Sequence, residues 1–405
     1  MLSLFIYKIF PLPEEKNKDI IYHNYRNTAC REMDLKVRKR QKKNRKKDGS
    51  GQRIRVAAVM LILSALLMAA SAKFPAYAEW YSEKIYPLLV DTVGRLTGLL
   101  PFSAAEICLY LLLCGLAVSA VLAAAKIVKG GRASAVLYVW FSKVILAVSV
   151  LALLYTVGCG INYRRNSFST EERIVTSVYG TDELEKICVW LTEEVNARAE
   201  EVPRDGQGVM ELSGPEGEGA AEAMEMLAEE FPSLEGYYPE PKEVIVSEIL
   251  SFQGLTGVYS PFTVEANYNG DMTPYNIPFT VCHELSHLRG FMEEKEANFI
   301  AFLACIGSDR TDFQYSGYLS GWTYCMNALY RTDRETWQEV RGLLDERAET
   351  DVAANSEFWS SYEGVISETA DRVNDTYLRV NGQAEGVKSY DRMVDLIVAY
   401  FRDKV

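Results

Sequence analysis

The stretch Thr280-Val281-Cys282-His283-Glu284-Leu285-Ser286-His287 decides how this chain is interpreted. It contains the pattern HExxH, and the chain has three histidines, of which two lie here. Residues four apart share one face of a helix, so both imidazoles can reach one metal ion. Two imidazoles with a carboxylate beside the open coordination position are typical of zinc peptidases. We predict a Zn²⁺ site with His283 and His287 as ligands and Glu284 as general base.

The alternative is a solvated amphipathic helix, because HExxH also arises by chance. The helix has an apolar side, and it comprises Phe279, Cys282, Leu285 and Leu288. This side indicates a partly buried helix rather than a solvated one. The scarcity of histidine elsewhere and the acidic residues that follow Gly290 also favour a metal site.

Two glutamates after Gly290 are candidates for the third ligand. Glu293 stands at the spacing HExxHxxGxxE, where metzincins have a histidine. Glu294 begins an ExxAN pattern that places Asn298 on the same face of a second helix. Acidic residues at a helix start also simply complement the helix dipole. We favour Glu294, with Glu293 as the alternative.

An extended segment precedes the motif helix, with apolar and polar residues alternating from 262 to 267. We predict that Phe262, Val264, Glu265 and Asn267 form an edge strand that pairs with a substrate backbone. For Glu265, a solvated strand face is an equal alternative. Tyrosines on a following helix are candidates for an oxyanion donor, although such residues more often belong to the core: Tyr315, Tyr318 and Tyr324.

Three uncharged apolar stretches, residues 56–72, 107–125 and 144–161, approach the length of about 20 residues that a bilayer crossing needs. A cleaved signal peptide is the alternative for the first, because a basic flank precedes it and Ala70-Ser71-Ala72 ends it. Basic residues concentrate in the tail before the first stretch and in the loop between the second and third. The positive-inside rule places this tail and this loop in the cytoplasm. We expect a multi-pass protein of the cell membrane, with the lipid bilayer as partner and the domain from residue 162 outside the cytoplasm.

The expected organisation is a basic tail (1–55), a membrane block (56–161) and an extracytoplasmic domain (162–405). We expect residues 1–32 not to be native, because Met33 is a natural start. Periodicity predicts a mainly α (α+β) fold with a small β-sheet around residues 244–246. The expected helices cover residues 181–199, 296–306, 315–330, 334–348, 358–379 and 390–401, with Asp333 and Ser389 as N-caps. Residues 80–100 are amphipathic and expected on the membrane surface.

Composition excludes some function classes. The formal net charge is −12 and the basic residues cluster beside an apolar stretch, which argues against a nucleic-acid partner. The eight cysteines form no CxxC pair, so a cysteine-based zinc finger is not supported.

The pattern HExxH…ExxAN resembles gluzincin-type peptidases. Several segments also resemble a family of bacterial membrane proteins of unknown function that are suspected metallopeptidases: Tyr259-Ser260-Pro261-Phe262-Thr263-Val264-Glu265-Ala266-Asn267, the stretch from Pro278 to His287, Glu294-Lys295-Glu296-Ala297-Asn298-Phe299-Ile300-Ala301, Asn374-Asp375-Thr376-Tyr377-Leu378-Arg379-Val380-Asn381 and Ser389-Tyr390. The resemblance implies a zincin-like domain, Glu294 as third zinc ligand and Asn298 orienting a ligand histidine.

Two functions follow from these expectations. The first is a membrane-anchored zinc peptidase that hydrolyses peptide or protein substrates outside the cytoplasm. The alternative is a non-catalytic sensor or scaffold that binds peptide or metal. Glu284 favours the peptidase, because a pure binding site does not need a base beside the metal.

Overall fold

The computed structural model describes residues 49–383, 386 and 392–405. Most of the basic tail, with Met33, lies outside the described residues, and so does Ser389. The expectations for residues 1–32 and for the Ser389 cap therefore stay predictions.

Long apolar helices dominate the first part of the described chain. In order, the helices are α1 (Ser50–Lys73), α2 (Pro75–Lys84), α3 (Tyr86–Leu89), α4 (Arg95–Gly98), α5 (Ala104–Val128) and α6 (Ala133–Tyr155), with a π-helical segment at Val90–Gly94 and another at Thr156–Gly160. Three of them are long and apolar enough to cross a membrane: α1, α5 and the continuous run Ala133–Arg164 that begins with α6. This confirms three candidate spans. Each is longer than its apolar stretch, because polar residues continue the helix beyond the uncharged core.

The described residues separate into two compact units. One comprises residues 49–59 and 119–149, which are the start of α1 and most of the hairpin between α5 and α6. Within it, Arg53 Nε donates to Ser142 Oγ at 3.1 Å and Trp140 Nε1 donates to Ser119 Oγ at 3.0 Å. Polar contacts therefore join its helices.

The other unit comprises residues 60–118 and 150–405 and contains the motif. Its further helices are α7 (Phe168–Glu171), α8 (Thr181–Ala199), α9 (Glu216–Glu230), α10 (Glu248–Phe252), α11 (Asn276–Leu288), α12 (Glu294–Ile306), α13 (Thr311–Thr332), α14 (Arg334–Arg341), α15 (Glu346–Ser360), α16 (Val365–Val380) and α17 (Met393–Phe401). The strands are β1 (Lys242–Glu243), β2 (Gly257–Ser260) and β3 (Glu265–Tyr268). A mostly helical fold with a small sheet is confirmed, but the predicted strand at 244–246 is wrong, because β1 ends at Glu243.

Two of the expected helices are interrupted. Residues 334–348 form α14 and the start of α15, because the chain turns at Gly342 and Asp345 begins a new helix as its N-cap. Residues 358–379 are likewise divided at Gly364. The Asp333 cap is confirmed, since its carboxylate accepts from the backbone N–H groups of Glu335 and Thr336.

The sheet order is β1–β3–β2, with β1 parallel and β2 antiparallel to β3. β3 therefore lies in the middle and pairs on both sides. The prediction that residues 262–267 form a free substrate edge is therefore wrong for Glu265 and Asn267, and Phe262 and Val264 lie in a turn before β3. Among the described strands, the unpaired edge next to the motif helix belongs to β2, whose first two residues are at least partly exposed.

The core of this unit extends beyond the expected boundary at residue 162. Tyr81, Tyr86 and Val90, from the segment between the first two spans, are buried among the residues of the domain. The same segment exposes large apolar side chains such as Trp80 and Leu96. It therefore belongs to the domain on one side and presents apolar surface on the other.

Candidate metal centre

The motif helix α11 is buried along its whole length, from Ile277 to Leu288. At its start, Ser316 Oγ on α13 accepts from Phe279 N at 3.0 Å and donates to the Tyr275 carbonyl. At its end, the Leu288 carbonyl accepts from the Tyr86 hydroxyl at 2.9 Å. Hydrogen bonds from separate parts of the chain therefore hold both ends of the helix.

A glycine turn follows α11. Gly290 has a φ of +96°, in the region that favours glycine. Its N–H donates to the His287 carbonyl at 2.9 Å, and Phe291 N donates to the Ser286 carbonyl at 3.2 Å. This is the usual way in which a glycine ends a helix and reverses the chain. The turn brings Glu294, the first residue of α12, back to the histidines.

Three ligand-type side chains meet beside α11. Glu294 Oε2 lies 3.2 Å from His283 Nε2 and 3.5 Å from His287 Nε2. Ligand atoms of all three residues lie within 4.8 Å of one another. The two imidazole rings are nearly perpendicular, with centroids 4.6 Å apart. This is the donor set that zinc prefers, two imidazole nitrogens and one carboxylate.

A backbone hydrogen bond orients His287. Its Nδ1 lies 2.8 Å from the Phe291 carbonyl, which has no proton to give, so Nδ1 carries the proton and donates it. Nε2 therefore faces Glu294 and is the ring nitrogen that a metal would bind once its proton has left. Among the described residues, Glu294 Oε2 and Glu284 Oε2 are buried without a hydrogen-bond partner, and so is His283 Nδ1. Buried carboxylate oxygens without donors fit a site that takes a cation.

The charges of the cluster are strongly coupled. Burial alone would raise the pKa of Glu294, but the two histidines outweigh it and lower the pKa to about 2. Burial alone would lower the pKa of His287, but the Glu294 carboxylate raises it to about 9. The metal-free cluster therefore holds a carboxylate and an imidazolium at neutral pH.

Glu284 lies beside this cluster, under strand β2. Burial raises its pKa to about 7, although both histidines and a hydrogen bond from the Tyr259 backbone act in the opposite direction. A Cβ on Gly257 would lie 2.6 Å from Glu284 Oε1. Only glycine therefore lets β2 approach this carboxylate so closely.

The structure separates the two candidates for the third ligand. Glu293 is the N-cap residue of α12, and its carboxylate lies 3.4 Å from Lys295 Nζ. Glu296 is buried and accepts from Ser169 N and Ser169 Oγ at 2.9 and 2.8 Å, which fixes the start of α7. Glu294 is the glutamate that lies with the histidines.

Asn298 lines the site, but its amide donates to the Tyr324 hydroxyl at 3.4 Å instead of to a histidine. The Phe291 carbonyl orients His287 in its place. Among the three tyrosines considered as oxyanion donors, Tyr324 faces the site. Tyr315 hydrogen-bonds to the buried Asp351, and the Tyr318 ring packs against Trp190.

Glu265 does not line the site. It is buried, and its carboxylate accepts from Ala104 N at 3.2 Å, Ala105 N at 2.9 Å and Lys242 Nζ at 2.8 Å. It therefore caps α5, the second candidate span. The neighbouring Asn267 is also buried, and its amide donates to the Val258 carbonyl within the sheet. Neither expectation for Glu265, a cleft residue or a solvated strand residue, is correct.

Comparison with known proteins identifies the family. Residues 81–398 match the family described as "Protein of unknown function (DUF3810)". The chain belongs to the DUF3810 family. No curated protein and no solved structure matches the chain.

A cleft of about 420 Å³ opens onto this cluster in the DUF3810 protein. Its lining includes His283, Glu284, Asn298 and Tyr324, together with the segment 254–257 that leads into β2. Asp371 and Asn374 of α16 line another part of the wall. Local sequence patterns do not predict this contribution of α16, because the wall combines residues about 90 positions apart in the chain.

Proposed function

We propose that this protein is a membrane-anchored, zinc-dependent peptidase that hydrolyses peptide bonds in this cleft. The observation that carries the proposal is the convergence of His283, His287 and Glu294 beside the buried carboxyl of Glu284. Charge distribution around the spans supports a position of the domain outside the cytoplasm, as the positive-inside rule implies.

The donor set supports zinc. His283 and His287 would supply Nε2 atoms and Glu294 a carboxylate oxygen. A bound zinc ion acts as a Lewis acid that activates water and polarises a carbonyl at neutral pH. Three protein ligands leave a coordination position open, which distinguishes catalytic from structural zinc sites.

Glu284 is the proposed proton carrier. A general base works best with a pKa near the working pH, and burial raises the pKa of this carboxyl to about 7. In its ionised form it takes a proton from the attacking water and then gives it to the leaving amine. Its Oε2 has no hydrogen-bond partner among the described residues, so this oxygen is free to accept that proton.

Strand β2 is the proposed docking edge for an extended substrate. It pairs with β3 on one side only, and its first residue, Gly257, lines the cleft next to Glu284. An added strand on this edge would bring its backbone past the motif helix. Tyr324 faces the same space, where its hydroxyl would donate to a developing oxyanion.

The test uses the full chain in detergent with a mixed-sequence peptide library. Glu284→Gln should retain its zinc and lose about 10²–10⁴-fold in hydrolysis. Glu293→Gln is the matched control, since this glutamate is paired with Lys295 outside the cluster, and it should behave like wild type. Hydrolysis by Glu284→Gln at the wild-type rate would refute the proposal. Zinc binding without any hydrolysis in wild type would favour the sensor or scaffold instead.

A further inference from the structure

Exposed apolar side chains lie on two segments next to the cleft. One group, here called the α10 patch, comprises Ile245, Ile249 and Phe252, each more than 40% exposed. Another group, here called the α16 stripe, comprises Ile366, Val373 and Val380, which are 59–75% exposed. Large exposed apolar groups next to a functional cleft indicate a contact surface.

The α16 stripe is a single line along the helix. Its residues are seven apart, and seven residues make nearly two turns, so they lie on one side. The cleft residues Asp371 and Asn374 project from a different side of the same helix. The helix α16 therefore shows one face to the cleft and an apolar face to the surroundings.

The end of α16 contacts the third candidate span. The Tyr155 hydroxyl donates to Asn381 Oδ1 at 2.7 Å, and the Tyr155 and Tyr377 rings are 6.3 Å apart. The preceding span, α5, has 25 residues from Ala104 to Val128, so an antiparallel return of equal length from Ala133 comes level with Ala104 near residue 157. Tyr155 therefore lies at the membrane boundary, and so does the end of the stripe at Val380.

The α10 patch adjoins the start of the second candidate span. Glu106, in the first turn of α5, accepts from Ile245 N at 2.7 Å and from Val246 N at 3.1 Å. Farther along, the Phe252 ring packs edge-on against Tyr362, with centroids 5.0 Å apart, and Tyr362 lies just before α16. The patch thus extends from the span to the mouth of the cleft.

Both contacts lie on one side of the membrane. Ala104 and Tyr155 are the outer ends of the hairpin formed by α5 and α6, and a hairpin of two crossings begins and ends on the same side. The apolar surfaces of the α10 patch and the α16 stripe therefore continue the lipid-facing surfaces of the spans at one boundary. Because the two apolar surfaces continue those of the spans, a lipid bilayer is the partner expected to cover them.

We propose that the α10 patch and the α16 stripe lie in the bilayer interface, so that the cleft opens at the membrane surface and takes peptide segments next to a membrane anchor. The substrate class rests on the proposed peptidase function, whereas the bilayer contact does not. Transmembrane or lipid-anchored polypeptides would supply such segments without leaving the membrane.

The bilayer contact is tested with the full chain in nanodiscs that contain spin-labelled lipid. Ile366→Cys, Val373→Cys and Val380→Cys are made separately, with Cys30, Cys108 and Cys114 replaced by serine, and a fluorescent probe is attached. Leu343→Cys, an exposed apolar position between α14 and α15, is the matched control. We expect strong quenching at the three stripe positions and none at Leu343. Absent quenching, or equal quenching at Leu343, would overturn the contact.

The substrate class is tested with a mixed-sequence peptide library that carries a myristoyl chain. Spacers of about 2 to 12 residues, which span roughly 7–40 Å when extended, separate the lipid from the library sequence. A cleft at the surface should cut short-spacer peptides as fast as long-spacer ones. Cleavage that needs the long spacers would overturn this assignment. The enzyme and the peptide share one membrane at every spacer length, so such a result would place the cleft away from the membrane surface.

Glu284→Gln separates the two proposals. It should abolish cleavage at every spacer length while the quenching stays unchanged, because this buried residue does not face lipid. If Glu284→Gln cuts like wild type, the peptidase proposal fails, and the quenching result alone still decides the bilayer contact.

Discussion

Glu265 offers the sharpest test of how the domain is attached to its spans. Its side chain is 2% exposed and forms an ion pair with Lys242, whose side chain is 9% exposed. Glu265→Gln keeps the size but removes the charge, which leaves the Lys242 ammonium buried without a counter-ion. In this variant the amide NH₂ group replaces one carboxylate oxygen. It faces the backbone N–H of Ala104 or Ala105, and since both groups are donors, that hydrogen bond is lost. Removing one partner of a buried ion pair costs about 3–5 kcal/mol.

The assay is thermal unfolding of the full chain in detergent, followed by tryptophan fluorescence. The unit that contains Glu265 has about 300 residues, so its unfolding entropy is roughly 0.65 kcal/mol/K and a loss of about 3 kcal/mol lowers the Tm by roughly 4–5 °C. Asp91→Asn is the matched control, because Asp91 forms an exposed ion pair with Arg95 that contributes only about 0–1 kcal/mol. The double variant Lys242→Met, Glu265→Leu should recover much of the loss, because it removes both buried charges.

Two outcomes would refute this reasoning. A fall in Tm for Glu265→Gln no larger than that for Asp91→Asn would mean that the ion pair does not secure α5. A loss of peptide hydrolysis with an unchanged Tm would instead place Glu265 in the cleft, as the alternation of residues 262–267 first suggested.

Three further outcomes are expected. Tyr324→Phe should lower hydrolysis by about a hundredfold with zinc content unchanged, whereas Tyr318→Phe, which packs on Trp190, should not; equal effects would exclude an oxyanion role for Tyr324. Zinc affinity should fall about tenfold per pH unit as the pH drops from 8 to 6, because the pKa of His287 is raised to about 9 and the metal must displace the imidazole proton. Calorimetry in two buffers should detect the released proton, and pH-independent zinc binding would contradict this expectation. Gly257→Ala should impair hydrolysis because its Cβ would displace Glu284, whereas Gly206→Ala, in open space, should not; full activity of Gly257→Ala would contradict the position of β2.

The sequence predicts how the residues on the motif helix are grouped. His283, Glu284 and His287 follow from helical spacing alone. The choice between Glu293 and Glu294 depends on the exact turn at Gly290, and a shift of one residue changes the face of the next helix. The sequence alone therefore leaves both glutamates open as the third ligand.

Contacts between distant parts of the chain cannot be predicted from local sequence patterns. Glu265 bonds to residues 160 and 161 positions away, and alternation within its own segment contains no trace of them. The same holds for β1, whose two residues pair with β3, and for the wall that α16 adds to the cleft. Apolar length is a local property, so the sequence predicts the three candidate spans, although it does not predict where their helices end.

The central claim is a metal centre held by His283, His287 and Glu294. The most direct test is the zinc content of the full chain, purified after zinc-replete expression, for wild type, His287→Ala, Glu294→Gln and Glu293→Gln. We expect about one equivalent in wild type and in Glu293→Gln, and loss of zinc in His287→Ala and Glu294→Gln. Wild-type protein without zinc, or zinc that depends on Glu293 and not on Glu294, would contradict the account.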